Sequence, residues 1–102
     1  MPPLVAIKFE AIAIAWRGPS PFVFAVVPAG LVPALREAAR QASYGWGVVP
    51  VEAEANGIAF RTSLFPRDAG YLVPLKTAVR RATGIALGDN VALEIRVPAA
   101  RH

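Results

Sequence analysis

The sequence predicts a mainly β protein, a single small pseudo-symmetric barrel with two short capping α-helices. Three observations carry that expectation. Apolar and polar residues alternate along Val91–Val97, and Asn56-Gly57 marks a tight turn between two further strand-like runs. An order of strand, Pro, short helix, glycine and strand occurs twice, over 22–55 and again over 71–97. Finally, 102 residues are enough for one core and too few for two.

The first strand spans Leu4 to Ile14, with Val5, Ile7 and Phe9 on one face and Lys8 and Glu10 on the other. From Ala11 to Ala15 both faces are apolar, which predicts a strand covered on both sides or a bulge that re-aims it. Trp16 to Pro21 holds two prolines and a glycine and reads as a break. Phe22 to Val27 is aromatic and β-branched, hence a second strand, ended by Pro28. Over 31–42 the period becomes helical. Leu31, Ala34, Leu35, Ala38, Ala39 and Ala42 share one stripe, and Arg36, Glu37, Arg40 and Gln41 face away. Pro33 falls in the first turn, where a missing N–H costs little. Gly45 and Gly47 end this helix, and Pro50 puts the next strand, 48–55, at an edge or a bulge.

Asn56-Gly57 suits a type I′ turn, and a two-residue loop fixes the register around it. Ala55 then faces Ile58, Ala53 faces Phe60, and Glu52 faces Arg61, predicting a cross-strand ion pair for the last two. Leu64 to Ala69 reads as a loop to the strand Tyr71–Val73, which Pro74 breaks. Leu75, Ala78, Val79 and Ala82 form the expected buried stripe of a two-turn helix, stopped by Gly84. Gly88-Asp89 turns into the last strand. One domain covers 1–102, with 97–102 as a flexible tail.

The totals narrow the function. Eleven Lys and Arg against seven Asp and Glu give +4, a mild preference for anionic partners. No apolar run reaches the roughly 20 residues of a membrane span. The start, Met1-Pro2-Pro3-Leu4, lacks the basic and apolar blocks of a secretory signal, so the expectation is cytoplasmic and without membrane. There is no cysteine, and the only histidine is His102. Ser63 and Thr62 therefore have no nucleophile-activating partner in view, and neither a catalytic set, a metal site nor a cofactor is expected.

Two groups of residues remain as candidates. Lys76, Arg80 and Arg81 share the exposed face of the second helix with Thr77, and could contact phosphates; a solvated face is the plainer reading. Arg61 and Ser63, with Tyr44 and Trp46, are candidate pocket residues. Tyr44 and Trp46, and Trp16 with them, equally suit plugging a barrel end.

Phe9-Glu-Ala11, Phe22-Val-Phe with Pro28, Gly45-Trp-Gly47, Phe60-Arg-Thr-Ser-Leu-Phe-Pro66 and Gly70-Tyr-Leu-Val-Pro-Leu-Lys-Thr-Ala-Val-Arg-Arg-Ala82 with Gly88-Asp89 resemble the bacterial domain-of-unknown-function family nineteen-zero-five. That resemblance spans nearly the whole chain. It implies a split or double-split β-barrel and no established activity. The second half is also similar, more loosely, to the AbrB and MazE swapped-hairpin family of regulators and antitoxins, in which two chains complete one barrel. A chain carrying both halves need not dimerise to close, so a monomer or weak homodimer is expected. The leading functional expectation is a non-enzymatic binding or interaction module of unknown ligand, taking a protein partner or an anionic ligand. The alternatives are an AbrB-like DNA-binding regulator, with nucleic acid the less favoured partner, and an enzyme or small-anion binder with a pocket around Arg61.

Overall fold

The computed structural model describes residues 2–15, 22–42 and 48–99. In chain order the elements are β1 (Val5–Ile12), β2 (Ile14–Ala15), β3 (Val23–Val26), a 3-10 turn (Ala29–Leu31), α1 (Val32–Ala42), β4 (Val49–Ala55), β5 (Ile58–Arg67), β6 (Gly70–Pro74), α2 (Thr77–Thr83) and β7 (Asn90–Val97). Among the described residues, seven strands form one antiparallel sheet in the order β1-β7-β4-β5-β6-β3-β2. The sheet curls into a half-barrel, so the expected β class holds.

Its two edge strands are neighbours in the chain. Ala13 separates β1 from β2, is buried, donates its N–H to Asp89 O at 2.9 Å and accepts from Gly88 N at 2.8 Å. The interruption expected in this stretch is therefore real. The first half of the segment pairs with β7 and the second with β3, so one run of chain serves both ends of the sheet. The two sequence halves also meet as related halves should: β3 pairs antiparallel with β6, and β4 with β7.

Inward-facing residues alternate along every long strand. Val49, Val51, Ala53, Ala55, Val91, Leu93, Ile95 and Val97 are all buried, with small alanines where the curled sheet leaves least room. Val97 pairs with Val5 inside β7 and does not belong to a tail. On α1 the buried line is Val32, Leu35, Ala38 and Ala39, whereas Ala34 is exposed. On α2 only Val79 is buried, beside Leu75 just ahead of the helix, and Ala78 and Ala82 face solvent. A helix of barely two turns meets the barrel along one line, chiefly at β5, and cannot bury the wider stripe its sequence offers. Gly84 caps it in the left-handed conformation at φ 76°, its N–H donating to Arg80 O at 2.8 Å.

The hairpin register is as the sequence required. Asn56 and Gly57 have φ of 47° and 86°, and Glu52 lies opposite Arg61. The loop expected over 64–69 is instead strand: β5 runs on through Phe65 and Pro66 to Arg67, and Asp68-Ala69 turns tightly into β6. Pro66 does not break it for a geometric reason. Counting from the Asp68-Ala69 turn, Pro66 directs its missing donor away from β6, toward the β4 side, where pairing stops at Val49–Leu64. Pro50 is tolerated likewise, because β4 pairs with β7 only from Glu52 onward.

The ion pairing also departs from expectation. Among the described residues, Glu52 and Arg61 do not meet. Arg96 instead bridges two carboxylates that face each other across β4 and β7, reaching Glu54 at 3.0 Å and Glu94 at 2.8 Å, with Lys8 3.8 Å from Glu94. Hydrogen bonds to Glu94 first and Glu54 second hold the Arg96 guanidinium charged and raise its pKa above the usual arginine value. Among the described residues, no helix is long and apolar enough to cross a membrane.

Candidate functional site

The outer face of β5, β6 and β3 carries a groove, and the strand register assembles it row by row. On β5 the residues pointing outward are Arg61, Ser63, Phe65 and Arg67, because Leu64 between them is wholly buried. Cross-strand pairing sets Phe65 beside Leu72 and Leu72 beside Val26. Phe24 pairs with Pro74 in the next row, and continuing the register brings Ser63 beside them. Arg61, Lys76 and Phe22, beyond the last residues paired between these strands, line the same groove. At the opposite end Arg67 pairs with Gly70.

These rows enclose a hollow of about 860 Å³ lined by Phe22, Phe24, Phe65, Leu72, Pro66 and Pro74, with Arg61, Arg67, Lys76, Thr62 and Ser63. Its apolar floor is only partly covered: Phe22 is 59% exposed and Phe65 45%, while Leu72 at 9% lies at the bottom. The Phe22 and Phe24 rings sit 6.2 Å apart and tilted, a distance at which aromatic pairs attract. A second hollow of about 1040 Å³ shares Leu72 and Arg67 with the first. It extends over Val26 and Ile14 to Arg36 on α1. The volumes match those of small-molecule sites.

Electrostatics single out the first hollow. Its described lining holds three cations and no carboxylate. Among the described residues the Arg61 guanidinium and the Lys76 ammonium have no ion-pair or hydrogen-bond partner, while Arg67 lies 3.8 Å from Asp68. The surroundings are apolar but open, so an arriving anion would keep part of its hydration while meeting the cations of the lining, with Asp68 beside Arg67 and Glu52 opposite Arg61.

The sequence candidates divide accordingly. Arg61 and Ser63 do line one hollow, and Lys76 joins them there. Arg80 folds back, its Nε donating to Leu75 O at 3.1 Å and Nη2 to Thr77 Oγ1 at 3.3 Å, and lines only a small adjacent dent. Arg81 is exposed and lines neither hollow. Of the α1 cations, Arg40 pairs with Glu37 at 3.2 Å and Arg36 donates to Ala69 O at 2.9 Å. Tyr44, Trp46, Trp16 and His102 lie outside the described residues. Asp89 acts in its turn, Oδ2 accepting from Ala86 N at 2.8 Å. Phe24, Phe65, Arg67, Leu72 and Pro74 were missed. For Phe65 and Arg67 the signal was the two-residue alternation of Arg61, Ser63, Phe65 and Arg67, hidden by reading 64–69 as a loop.

A family described as a domain of unknown function (DUF1905) matches the chain over residues 9–95. No curated protein matches it.

Proposed function

The chain belongs to the DUF1905 family, and from that premise we propose that it is a non-enzymatic binding module whose β5–β6–β3 groove takes an amphipathic anion. The reading rests on one observation: an aromatic floor framed by Arg61, Lys76 and Arg67 without a lining carboxylate among the described residues. The apolar body of such a ligand covers Phe24, Phe65 and Leu72, worth about 0.8 kcal/mol per buried methylene. Its anionic group meets Arg61 and Lys76, each worth up to about 1 kcal/mol at an open site and together enough for a tenfold change in affinity.

Titration with 1-anilinonaphthalene-8-sulfonate tests this, since that probe has an aromatic body and a sulfonate. The expected result is a saturable fluorescence rise that weakens about tenfold or more in Arg61→Ala/Lys76→Ala, with an unchanged circular dichroism spectrum. Binding indifferent to that double change would sink the reading. The nucleic-acid alternative has its own signature. Salt-steep binding of short duplex DNA, lost in Lys76→Ala/Arg80→Ala/Arg81→Ala and kept in Arg61→Ala, would replace the anion groove.

A further inference from the structure

The groove has cations at both ends, and this goes further than the presence of an anion site. Arg61 and Arg67 lie six positions apart on β5 and on the same face, or about 20 Å of extended strand. Lys76 stands with Arg61 at one end. At the other, Arg36 of α1 lines the adjoining hollow with Arg67 and Asp68, its guanidinium donating to Ala69 O at 2.9 Å. The floor between them is apolar, with Phe65, Leu72 and Val26 forming a continuous row across three strands.

Resting on the groove reading above, we infer that the ligand is an elongated small-molecule dianion, a long aliphatic chain with an acidic group at each end. Charge complementarity fixes the two ends, and the apolar floor fixes the middle. An extended acidic peptide would satisfy the same charges but not the same floor. Its backbone N–H and C=O groups would lie over apolar side chains, above strands whose own polar groups are already paired within the sheet. A hydrocarbon chain brings no such groups. The far end is also guarded: Asp68, 3.8 Å from Arg67, is a competitor that a bound acid would have to displace.

The test compares decanedioate, dodecanedioate and tetradecanedioate with decanoate, dodecanoate and tetradecanoate, by calorimetry on the full chain. With the Arg67 cation meeting the second carboxylate, the best diacid binds about threefold or more tighter than its monoacid. With no cation there, a second carboxylate dragged over the apolar floor makes every diacid weaker. Arg67→Ala is expected to reverse the preference, taking the diacid-to-monoacid affinity ratio below one. Asp68→Asn is expected to strengthen diacid binding. Monoacids and the sulfonate probe binding normally, with diacids gaining nothing at any length, overturns this inference alone. Failure of monoacids, diacids and probe together overturns the groove reading itself. A peptide carrying acids six residues apart that binds tighter than every diacid overturns the small-molecule assignment.

Discussion

Leu64 and Phe65 are adjacent on β5 and face opposite ways, so substituting each by alanine should separate the core from the groove. Leu64 is wholly buried among core residues, and truncating such a leucine costs about 3 to 5 kcal/mol through lost transfer energy plus the cavity left behind. Phe65 is 45% exposed, so about half of the roughly 1.5–3 kcal/mol of a fully buried phenylalanine is at stake, near 1 kcal/mol. For a domain of this size each kcal/mol lowers the midpoint of thermal unfolding by about 4–8 °C. Leu64→Ala should therefore lose more than about 12 °C, and Phe65→Ala about 4–8 °C. Denaturant unfolding followed by circular dichroism, with equal m-values for both variants and the native chain, gives the comparison directly. Groove binding should show the opposite order, with Phe65→Ala the weaker binder under conditions where both are folded. Similar destabilisation by the two changes would refute the reasoning. It would mean that 64–69 is the irregular loop the sequence suggested, with no alternation between inside and outside.

Two further outcomes follow from the same sheet. Gly57 has φ 86° and open space around its α-carbon, so Gly57→Ala meets no clash and should still cost about 1 kcal/mol from backbone conformation alone. Thermal unfolding checks this, and an unchanged midpoint would contradict the type I′ geometry. Arg96 separates Glu54 from Glu94, which face each other across β4 and β7. Arg96→Met should lower the unfolding midpoint, and adding Glu94→Gln should recover part of the loss by removing the repulsion. A double-mutant cycle reads that coupling, and simple additivity would contradict the bridge.

Particular residues show where the sequence was legible. Asn56-Gly57 gave the β4–β5 register outright, because two residues at positive φ leave one pairing open. Val91 to Val97 and the Gly84 stop were readable for equally local reasons. The doubled strand–Pro–helix order pointed to a pseudo-symmetric architecture, and the pairing of β3 with β6 and of β4 with β7 appears only in the assembled sheet. Pro66 misled, since its effect depends on which side of β5 lacks a partner, and that is a property of the assembled sheet. Arg61 misled for a related reason: register names the residue opposite, but not which way a long side chain leans. The groove is a product of both. It needs Phe22 and Phe24 from one half of the chain and Lys76 from the other, set beside Arg61 and Phe65 only once β3, β6 and β5 have paired. The basic face of α2 looked like a site because helical spacing is easy to read, whereas Arg80 bending back to Leu75 O is not.

The central claim is that an amphipathic anion lies on the outer face of β5, β6 and β3. The measurement that tests it most directly is chemical-shift mapping of isotope-labelled protein titrated with decanoate. The account predicts saturable shifts at Arg61, Ser63, Phe65, Leu72 and Phe24, smaller ones at Val26, and none on the Lys8–Glu94–Arg96 face. Shifts centred on Arg81 and the exposed side of α2, or the absence of saturable shifts anywhere, would contradict it.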